Sequence, residues 1–230
     1  MESYHRVVTQ KSAQIFVVDD HPIFRLGIRR LLEAEQDLLI AGEAETSAEA
    51  MSKLESSAVD LVIVDVSLKG SGGIDLVKQL RVIHPQLPLL VISMHDEHLF
   101  AERALRAGAA GYVTKDSDPE AIVTAVRKVL RGELAVSEKL AMMMLRANLH
   151  GSRESTSMLD SLSDREMEVF ELIGRGVKTR AIADSLSISV KTVESHQSNI
   201  KRKLGISGMT ELRRIAAVWS TGSSERHGRF

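Results

Sequence analysis

Leu61-Val62-Ile63-Val64-Asp65 is a run of four aliphatic residues closed by an acid, and Gly73 stands eight positions beyond that acid. Four consecutive apolar residues without polar alternation suit a strand covered on both faces, as in a parallel sheet. Similar short runs recur at Ile15–Val18, Leu38–Ala41, Leu89–Ile92 and Tyr112-Val113. Segments with helical spacing separate them. Pro22 suits a first helical turn, ahead of Ile23, Leu26, Arg30 and Leu31. Ser47 is placed to cap a helix ending near Leu54. Ile74, Leu76, Val77, Leu80 and Ile83 line a third helix; Leu99, Ala101, Ala104 and Leu105 line a fourth, ended by Gly108. Asp118 and Pro119 open a fifth, with Ile122, Val126 and Val129 on one face. Five βα units predict a doubly wound α/β domain over residues 13–131, built on a five-stranded parallel sheet. Right-handed crossovers put every strand's C-terminus on one edge, where such sheets bind ligands.

The chain has 230 residues, enough for two modest domains, with 43% hydrophobic and 27% charged residues, which excludes a disordered chain. It has no Cys, which excludes disulfides and thiolate metal sites. No apolar run approaches the roughly 20 residues needed to span a bilayer. The N-terminus Met1-Glu2-Ser3-Tyr4-His5 has no apolar signal core, so a cytoplasmic protein without membrane partners is expected. The net charge of −1 conceals an asymmetry: residues 1–130 hold 14 Lys+Arg and 19 Asp+Glu, and residues 161–230 hold 12 and 8. An acidic front and a basic rear suggest a polyanionic partner for the rear alone.

Residues 132–159 read as a linker. Gly132 breaks the alternation, Ser137–Leu149 has the pattern of one helix rich in Met142, Met143 and Met144, and a polar stretch follows from His150 to Ser157. The rear, residues 160–220, shows no strand signal. Ser163-Asp164-Arg165-Glu166 is a capping box for a helix to Gly174. Thr179–Leu186 is a second helix, Ser187-Ile188-Ser189 a turn, Val190–Leu204 a third helix ended by Gly205, and Thr210–Trp219 a fourth. This is an all-α, four-helix arrangement of helix-turn-helix type. A disordered tail is expected over residues 221–230.

The strand ends of the front domain carry a coherent set of groups: Asp19 and Asp20 after the first, Asp65 on the third, Ser93 on the fourth and Lys115 on the fifth. A carboxylate accepts a phosphoryl group only if the developing negative charge is offset. Mg²⁺ offsets it through oxygen ligands, with one or two carboxylates and water. Lys115 is suited to the phosphoryl oxygens and Ser93 to a hydrogen bond with one of them. Each group alone is as well explained by a helix cap or a solvated strand-end acid. The histidines His21, His84, His95 and His98 show no convergent metal spacing and read as surface or cap residues.

With Asp19-Asp20, Asp65, Gly73, Ser93, Tyr112 and Lys115, residues 13–131 resemble the response-regulator receiver domain, a flavodoxin-like fold. The resemblance implies that a sensor histidine kinase phosphorylates Asp65. It also implies Mg²⁺ on Asp20, Asp65 and the backbone carbonyl of Ser67, with Asp19 acting mainly through water. Ser93 and Tyr112 would be the switch pair, Ser93 turning toward the phosphate and Tyr112 rotating inward. The chain departs from the common family pattern at Lys69 and Asp116, where many members have proline. The loop from Lys69 to Gly73 is therefore expected to be more mobile.

The third rear helix brings cations and small polar groups together. Val193, Ile200 and Leu204 face inward; Lys191, Glu194, Ser195, Gln197, Ser198, Lys201 and Arg202 read as mostly outward. Such a helix suits a DNA major groove, with Lys191, Lys201, Arg202 and Lys203 on phosphates. Leu162-Ser163-Asp164-Arg165-Glu166 and Lys191-Thr192-Val193-Glu194-Ser195-His196, with Lys203-Leu204-Gly205, resemble the LuxR-type helix-turn-helix. That resemblance implies base-edge contacts around Glu194, Ser195 and Ser198, and backbone contacts from Lys191 and Lys201; Thr192 is a further candidate for the DNA-binding set. Lys178 and Arg180 keep positive charge on the second helix. Leu212, Ile215, Ala216 and Trp219 are candidates either for a dimer face or for the core.

A receiver followed by this module resembles the NarL/FixJ group of two-component transcriptional regulators. The expectation is a regulator, not an enzyme, that binds paired half-sites of double-stranded DNA as a homodimer once Asp65 is phosphorylated. The competing readings are an aspartyl-phosphate hydrolase, disfavoured because its nucleophile would follow the first strand, and a DNA-binding protein independent of phosphorylation.

Overall fold

In the computed structural model, residues 12–68, 72–94, 97–149 and 158–225 are described. The loop residues 69–71, His95, the polar stretch 150–157 and residues 226–230 lie outside them. Five strands alternate with five helices: β1 (Ala13–Val18), α1 (Pro22–Glu33), β2 (Leu38–Ala44), α2 (Ser47–Leu54), β3 (Leu61–Asp65), α3 (Gly73–Ile83), β4 (Leu89–Ser93), α4 (Glu97–Ala107), β5 (Gly111–Thr114) and α5 (Pro119–Leu130). All neighbours pair in parallel, in the order β2-β1-β3-β4-β5. The order reverses between β1 and β3, which sets the end of Asp65's strand beside Asp19-Asp20. Every residue of β3 and β4 is buried, as their unbroken aliphatic runs require.

β2 departs from that pattern. It is an edge strand in which burial alternates, and Leu39 is 46% exposed. Local details of the helix starts also differ from expectation. Thr46, not Ser47, caps α2, accepting from the Glu49 N–H, and Ser47 is buried in the first turn. Asp118 sits at the N-cap of α5 but its side chain makes no cap bond.

The second edge of the sheet is closed by the chain itself. Tyr112 N–H donates to the Ala135 carbonyl (2.8 Å) and Ala135 N–H to the Ala110 carbonyl (3.0 Å). Ala135 is buried, so the residues just after α5 belong to the sheet domain rather than to a free linker. The chain divides into two compact units between Val136 and Ser137.

The second unit contains α6 (Glu138–Leu149), a 3-10 turn (Met158–Ser161), α7 (Asp164–Gly174), α8 (Thr179–Ser185), α9 (Val190–Lys203) and α10 (Met209–Glu225). The capping box of α7 is complete: Ser163 N–H donates to Glu166 Oε2 (2.8 Å) and Glu166 N–H to Ser163 Oγ (3.3 Å). Ser187 makes the tight turn between α8 and α9 with φ 52°. Leu212 and Ala216 are fully buried, and Trp219 meets the Phe170 ring edge-on with centroids 6.1 Å apart, so these three serve the core of the monomer. α10 continues to Glu225, beyond the expected end at Trp219 and into the segment expected to be disordered. Among the described residues no helix is long and apolar enough to cross a membrane.

Gly73 is fixed by its surroundings. A Cβ there would lie 1.7 Å from the Asp65 carbonyl oxygen, while Gly73 N–H bonds the Val66 carbonyl at 2.7 Å. Gly27, in α1, has nothing within 4 Å of an added Cβ. The two glycines should therefore respond with opposite signs. Gly73→Ala should destabilise the sheet domain by about 3 kcal/mol or more, because the obstacle is backbone. Gly27→Ala should stabilise it by about 0.5–1 kcal/mol. Urea unfolding followed by circular dichroism measures both.

Candidate functional site

Side chains from four strand ends converge at the C-terminal edge of the sheet. Asp19, Asp20 and Asp65 are all buried, at 0%, 8% and 1% exposure. Lys115, directly after β5, is 3% exposed at its side chain; its Nζ lies 2.7 Å from Asp19 Oδ2 and 2.8 Å from Asp65 Oδ2. Ser67 N–H donates to Asp65 Oδ1 (3.3 Å). Ser93 closes β4, fully buried, and its carbonyl accepts from Lys115 N–H at 2.8 Å, which ties the two strand ends together. The Tyr112 ring is already inward, at 1% exposure. Asp19, Asp20, Asp65, Ser93 and Lys115 thus lie on this edge, and Tyr112 lies within β5, three residues before Lys115.

Two further residues belong to the pocket. His21, at the N-cap of α1, has its Nδ1 2.8 Å from Asp20 Oδ1, 3.3 Å from Asp19 Oδ1 and 3.8 Å from Asp65 Oδ2. Its cap position was expected; its place among the three acids was not. The signal available was its adjacency to Asp19-Asp20, since a helix starting at Pro22 turns that residue back over the strand end. The Lys115 ammonium also sits 4.5 Å above the centre of the Phe24 ring, a cation–π contact. Nothing in the helical pattern around Phe24 marks it for that contact.

The charges explain the pocket's electrostatics. Burial, and then the Asp65 charge, push Asp19 above the usual carboxylate range, although Lys115 pulls the other way. Burial also pushes Asp65 up, but the His21 imidazole and the Lys115 ammonium more than reverse it, and its carboxyl titrates low. His21 is raised, chiefly by Asp65. Three buried carboxylates face one ammonium and one imidazole, and one donor atom from each of Asp19, Asp20, His21 and Asp65 lies within 4.8 Å of the others. This oxygen-rich, negatively unbalanced cup fits a small hard cation such as Mg²⁺.

The second unit presents a contrasting face. On α9, Lys191, Glu194, Ser195, Ser198 and Arg202 are exposed, while Val193 and Ile200 are buried. Thr192 and Lys201 are partly exposed, and Lys178 and Arg180 at the start of α8 are exposed. Two residues leave the expected set. Gln197 turns inward, 7% exposed, and its Nε2 donates to Thr179 Oγ1 (3.3 Å) between α8 and α9. Lys203 Nζ donates to Glu166 Oε2 (2.6 Å), so its charge is held by the capping box of α7. Burial pushes Glu166 up, but Lys203 and the Ser163 N–H outweigh it and hold the carboxyl below its ordinary range.

The comparisons with known proteins agree with both halves. The model of the response regulator receiver domain matches residues 15–127, and that of the luxR family of bacterial regulatory proteins matches residues 160–216. The response regulator UvrY of Escherichia coli (strain K12) is 32% identical over 88% of this chain and 92% of its own length. The transcriptional activator protein ExaE of Pseudomonas putida is 36% identical over 88% and 94%. Among solved structures, RcsB from Salmonella enterica serovar Typhimurium, bound to promoter rprA with the phosphomimetic BeF3−, is 25% identical, with a TM-score of 0.60 over 90% of this chain and 99% of that one. A receiver-type sheet followed by a helix-turn-helix unit is the architecture of a two-component response regulator that acts on transcription, not of an enzyme that turns over an external substrate. Within that class the chain belongs to the NarL/FixJ family.

Because the folded-state Glu166 is more acidic than its ordinary value of 4.5, its contribution to stability is present above that pH and is lost as pH falls through and below it. Glu166→Ala should lower the stability of the second unit by about 1–2 kcal/mol at neutral pH. The difference from wild type should shrink below pH 4.5. Unfolding followed by Trp219 fluorescence reads this, since that ring packs on α7 through Phe170.

Proposed function

We propose that residues 13–131 act as a phosphoacceptor receiver, and that residues 160–220, reached through residues 132–159, are the DNA-binding output it controls. The observation that carries this reading is the Asp65 carboxylate, buried at the end of β3 and paired with Lys115 among two further acids. A sensor histidine kinase is the phosphoryl donor. A carboxylate oxygen of Asp65 attacks phosphorus, the bond from phosphorus to the donor's imidazole nitrogen breaks, and the imidazole keeps the electron pair. Asp20, Asp65 and the Ser67 carbonyl would hold Mg²⁺, with Asp19 acting mainly through water, and the ion would offset charge on the phosphoryl oxygens.

The chain's own groups then rearrange. Lys115 exchanges its Asp65 contact for a phosphoryl oxygen, and the Ser93 hydroxyl donates to another. Phosphorylation brings about −2 charge to a site holding one carboxylate charge at that position, enough to bias a two-state element. Tyr112 shares β5 with the site's edge and bonds Ala135 through its backbone, at the last stretch before the two units divide. That contact is the route by which the switch pair Ser93 and Tyr112 can act on the output.

The output binds double-stranded DNA through α9. Glu194, Ser195, Ser198 and Thr192 face base edges, while Lys191, Lys201, Arg202, Lys178 and Arg180 face phosphates. A homodimer on paired half-sites is the active form; RcsB, 26% identical to this chain, is known as dimers bound to DNA.

The test is DNA binding on a random-sequence library before and after acetyl phosphate with Mg²⁺. Wild type should enrich a paired motif only when phosphorylated, and Asp65→Ala should enrich none; equal enrichment in every state would remove the switch. Two substitutions separate the contacts of α9. Lys191→Ala should weaken binding to all sequences alike and lower the slope of log affinity against log salt by about 0.9. Ser195→Ala should instead relax preference at one base pair, costing about 1–3 kcal/mol on the best site. Competition binding at three salt concentrations distinguishes them.

A further inference from the structure

The acidic cup contains one donor that is not an oxygen. Asp19, Asp20 and Asp65 supply carboxylates from β1 and β3, and His21 adds an imidazole nitrogen from the first position before α1. The distances of His21 Nδ1 from the three acids, 2.8, 3.3 and 3.8 Å, can be compared with the requirements of an ion. In six-coordinate geometry with bonds of about 2.1 Å, neighbouring donors lie about 3.0 Å apart and opposite donors about 4.2 Å. The three separations fall close to that span, so the nitrogen is already at the spacing of a donor sharing one ion with all three acids. A histidine serving only as a helix cap has no reason to meet acids from two different strands. Here the side chain makes no cap bond, while the Asp19 carboxylate accepts from the His21 backbone N–H at 2.8 Å and fixes the residue over the cup. The side chain is 58% exposed, which leaves it free to adjust to an ion by rotation.

From this geometry we infer that His21 is a direct nitrogen ligand of the receiver's metal ion, and that it biases the site toward manganese and later divalent transition metals over Mg²⁺. The inference rests on the proposed metal role of the acidic cup. The chemistry follows from ligand type: Mg²⁺ takes oxygen donors and keeps its waters, whereas imidazole is a good ligand for first-row transition ions. A cup of three carboxylates alone would discriminate little between Mg²⁺ and Mn²⁺; adding one imidazole changes the ratio. Lys115 meets the cup through the Oδ2 atoms of Asp19 and Asp65 and is covered by Phe24, whereas His21 Nδ1 lies nearest Asp20 Oδ1 and Asp19 Oδ1, so the two cationic side chains share only Asp65 Oδ2.

The experiment uses the full chain, with MgCl2 and MnCl2 as probes. Affinities are measured by titration calorimetry for wild type, His21→Ala and Asp20→Asn, and the Mn²⁺-loaded wild type and His21→Ala are examined by electron spin echo modulation. Wild type should bind Mn²⁺ with nitrogen modulation of the imidazole kind. His21→Ala should lose that modulation, weaken Mn²⁺ by about tenfold and leave Mg²⁺ within about twofold. If both ions bind in an Asp20-dependent manner but the modulation is absent from wild type, or His21→Ala shifts the two affinities by the same factor, His21 is only a hydrogen-bonding neighbour of Asp20 and the inference falls alone. If neither ion binds wild type, or Asp20→Asn binds as wild type does, the metal role of the cup falls, and the inference with it.

Discussion

The Lys115 ammonium, bonded to Asp19 and Asp65 at the end of a fully buried sheet, is the contact on which the pocket depends. Three carboxylates cannot be taken out of water together without compensation: at an effective dielectric of about 20, two like charges 4 Å apart repel by about 4 kcal/mol. One buried ammonium shared by two of the acids removes part of that cost, and the His21 imidazole lies against the third. The sheet in turn makes the sharing possible. β1 and β3 are neighbours, so their terminal acids meet, and β5 delivers Lys115 because its pairing with β4 is held by the Lys115 N–H bond to the Ser93 carbonyl. Removing the lysine charge would leave buried acids unpaired, a larger penalty than the worth of the pair itself.

The same constraint explains why the sheet domain was legible in the sequence. Strands buried on both faces must be aliphatic throughout, so Leu61–Val64 and Leu89–Ile92 announce themselves, and the polar residue that ends each run marks the functional edge. Gly73 was legible as a spacing but not as a reason; the reason is an Asp65 carbonyl 1.7 Å from where a Cβ would stand. What was not legible depends on tertiary position. β2 looks like its neighbours in composition, yet it lies at the edge and Leu39 meets solvent. Ala135 has no strand signal of its own and is recruited only because β5 leaves an unpaired edge.

The second unit shows the limits of helical periodicity. Burial of Val193 and Ile200 follows from their spacing, and the exposed face of α9 follows with it. Periodicity cannot say which polar residues on the flanks of that face turn inward. Gln197 does so because Thr179 on α8 offers an oxygen, while Lys203 stays exposed along its stem and reaches buried Glu166 on α7 with its ammonium. On polarity alone Gln197 reads as outward and Lys203 as suited to a phosphate. Likewise Leu212, Ala216 and Trp219 fitted either a core or a dimer face until α7 was seen packed against them.

The inward pairing of charges also decides which cations of the second unit stay at its surface. Arg165 bonds Glu168 and the Leu186 carbonyl, Arg175 bonds Glu171, and Lys203 bonds Glu166. Each of these cations fixes a buried acid of α7 and so holds the scaffold beneath α9. An arginine or lysine so bonded cannot approach a phosphate without exposing a buried carboxylate to an apolar surrounding, which is more costly than a surface phosphate contact is favourable. The excess of positive charge in residues 161–230 is therefore not uniformly available to a polyanion. Beyond the cations bonded to acids of α7, the exposed ones there among the described residues are Lys178 and Arg180 at the start of α8, Lys191 and Arg202 on α9, and Arg213 and Arg214 on α10; their placement, rather than the net charge, decides what a polyanion would meet.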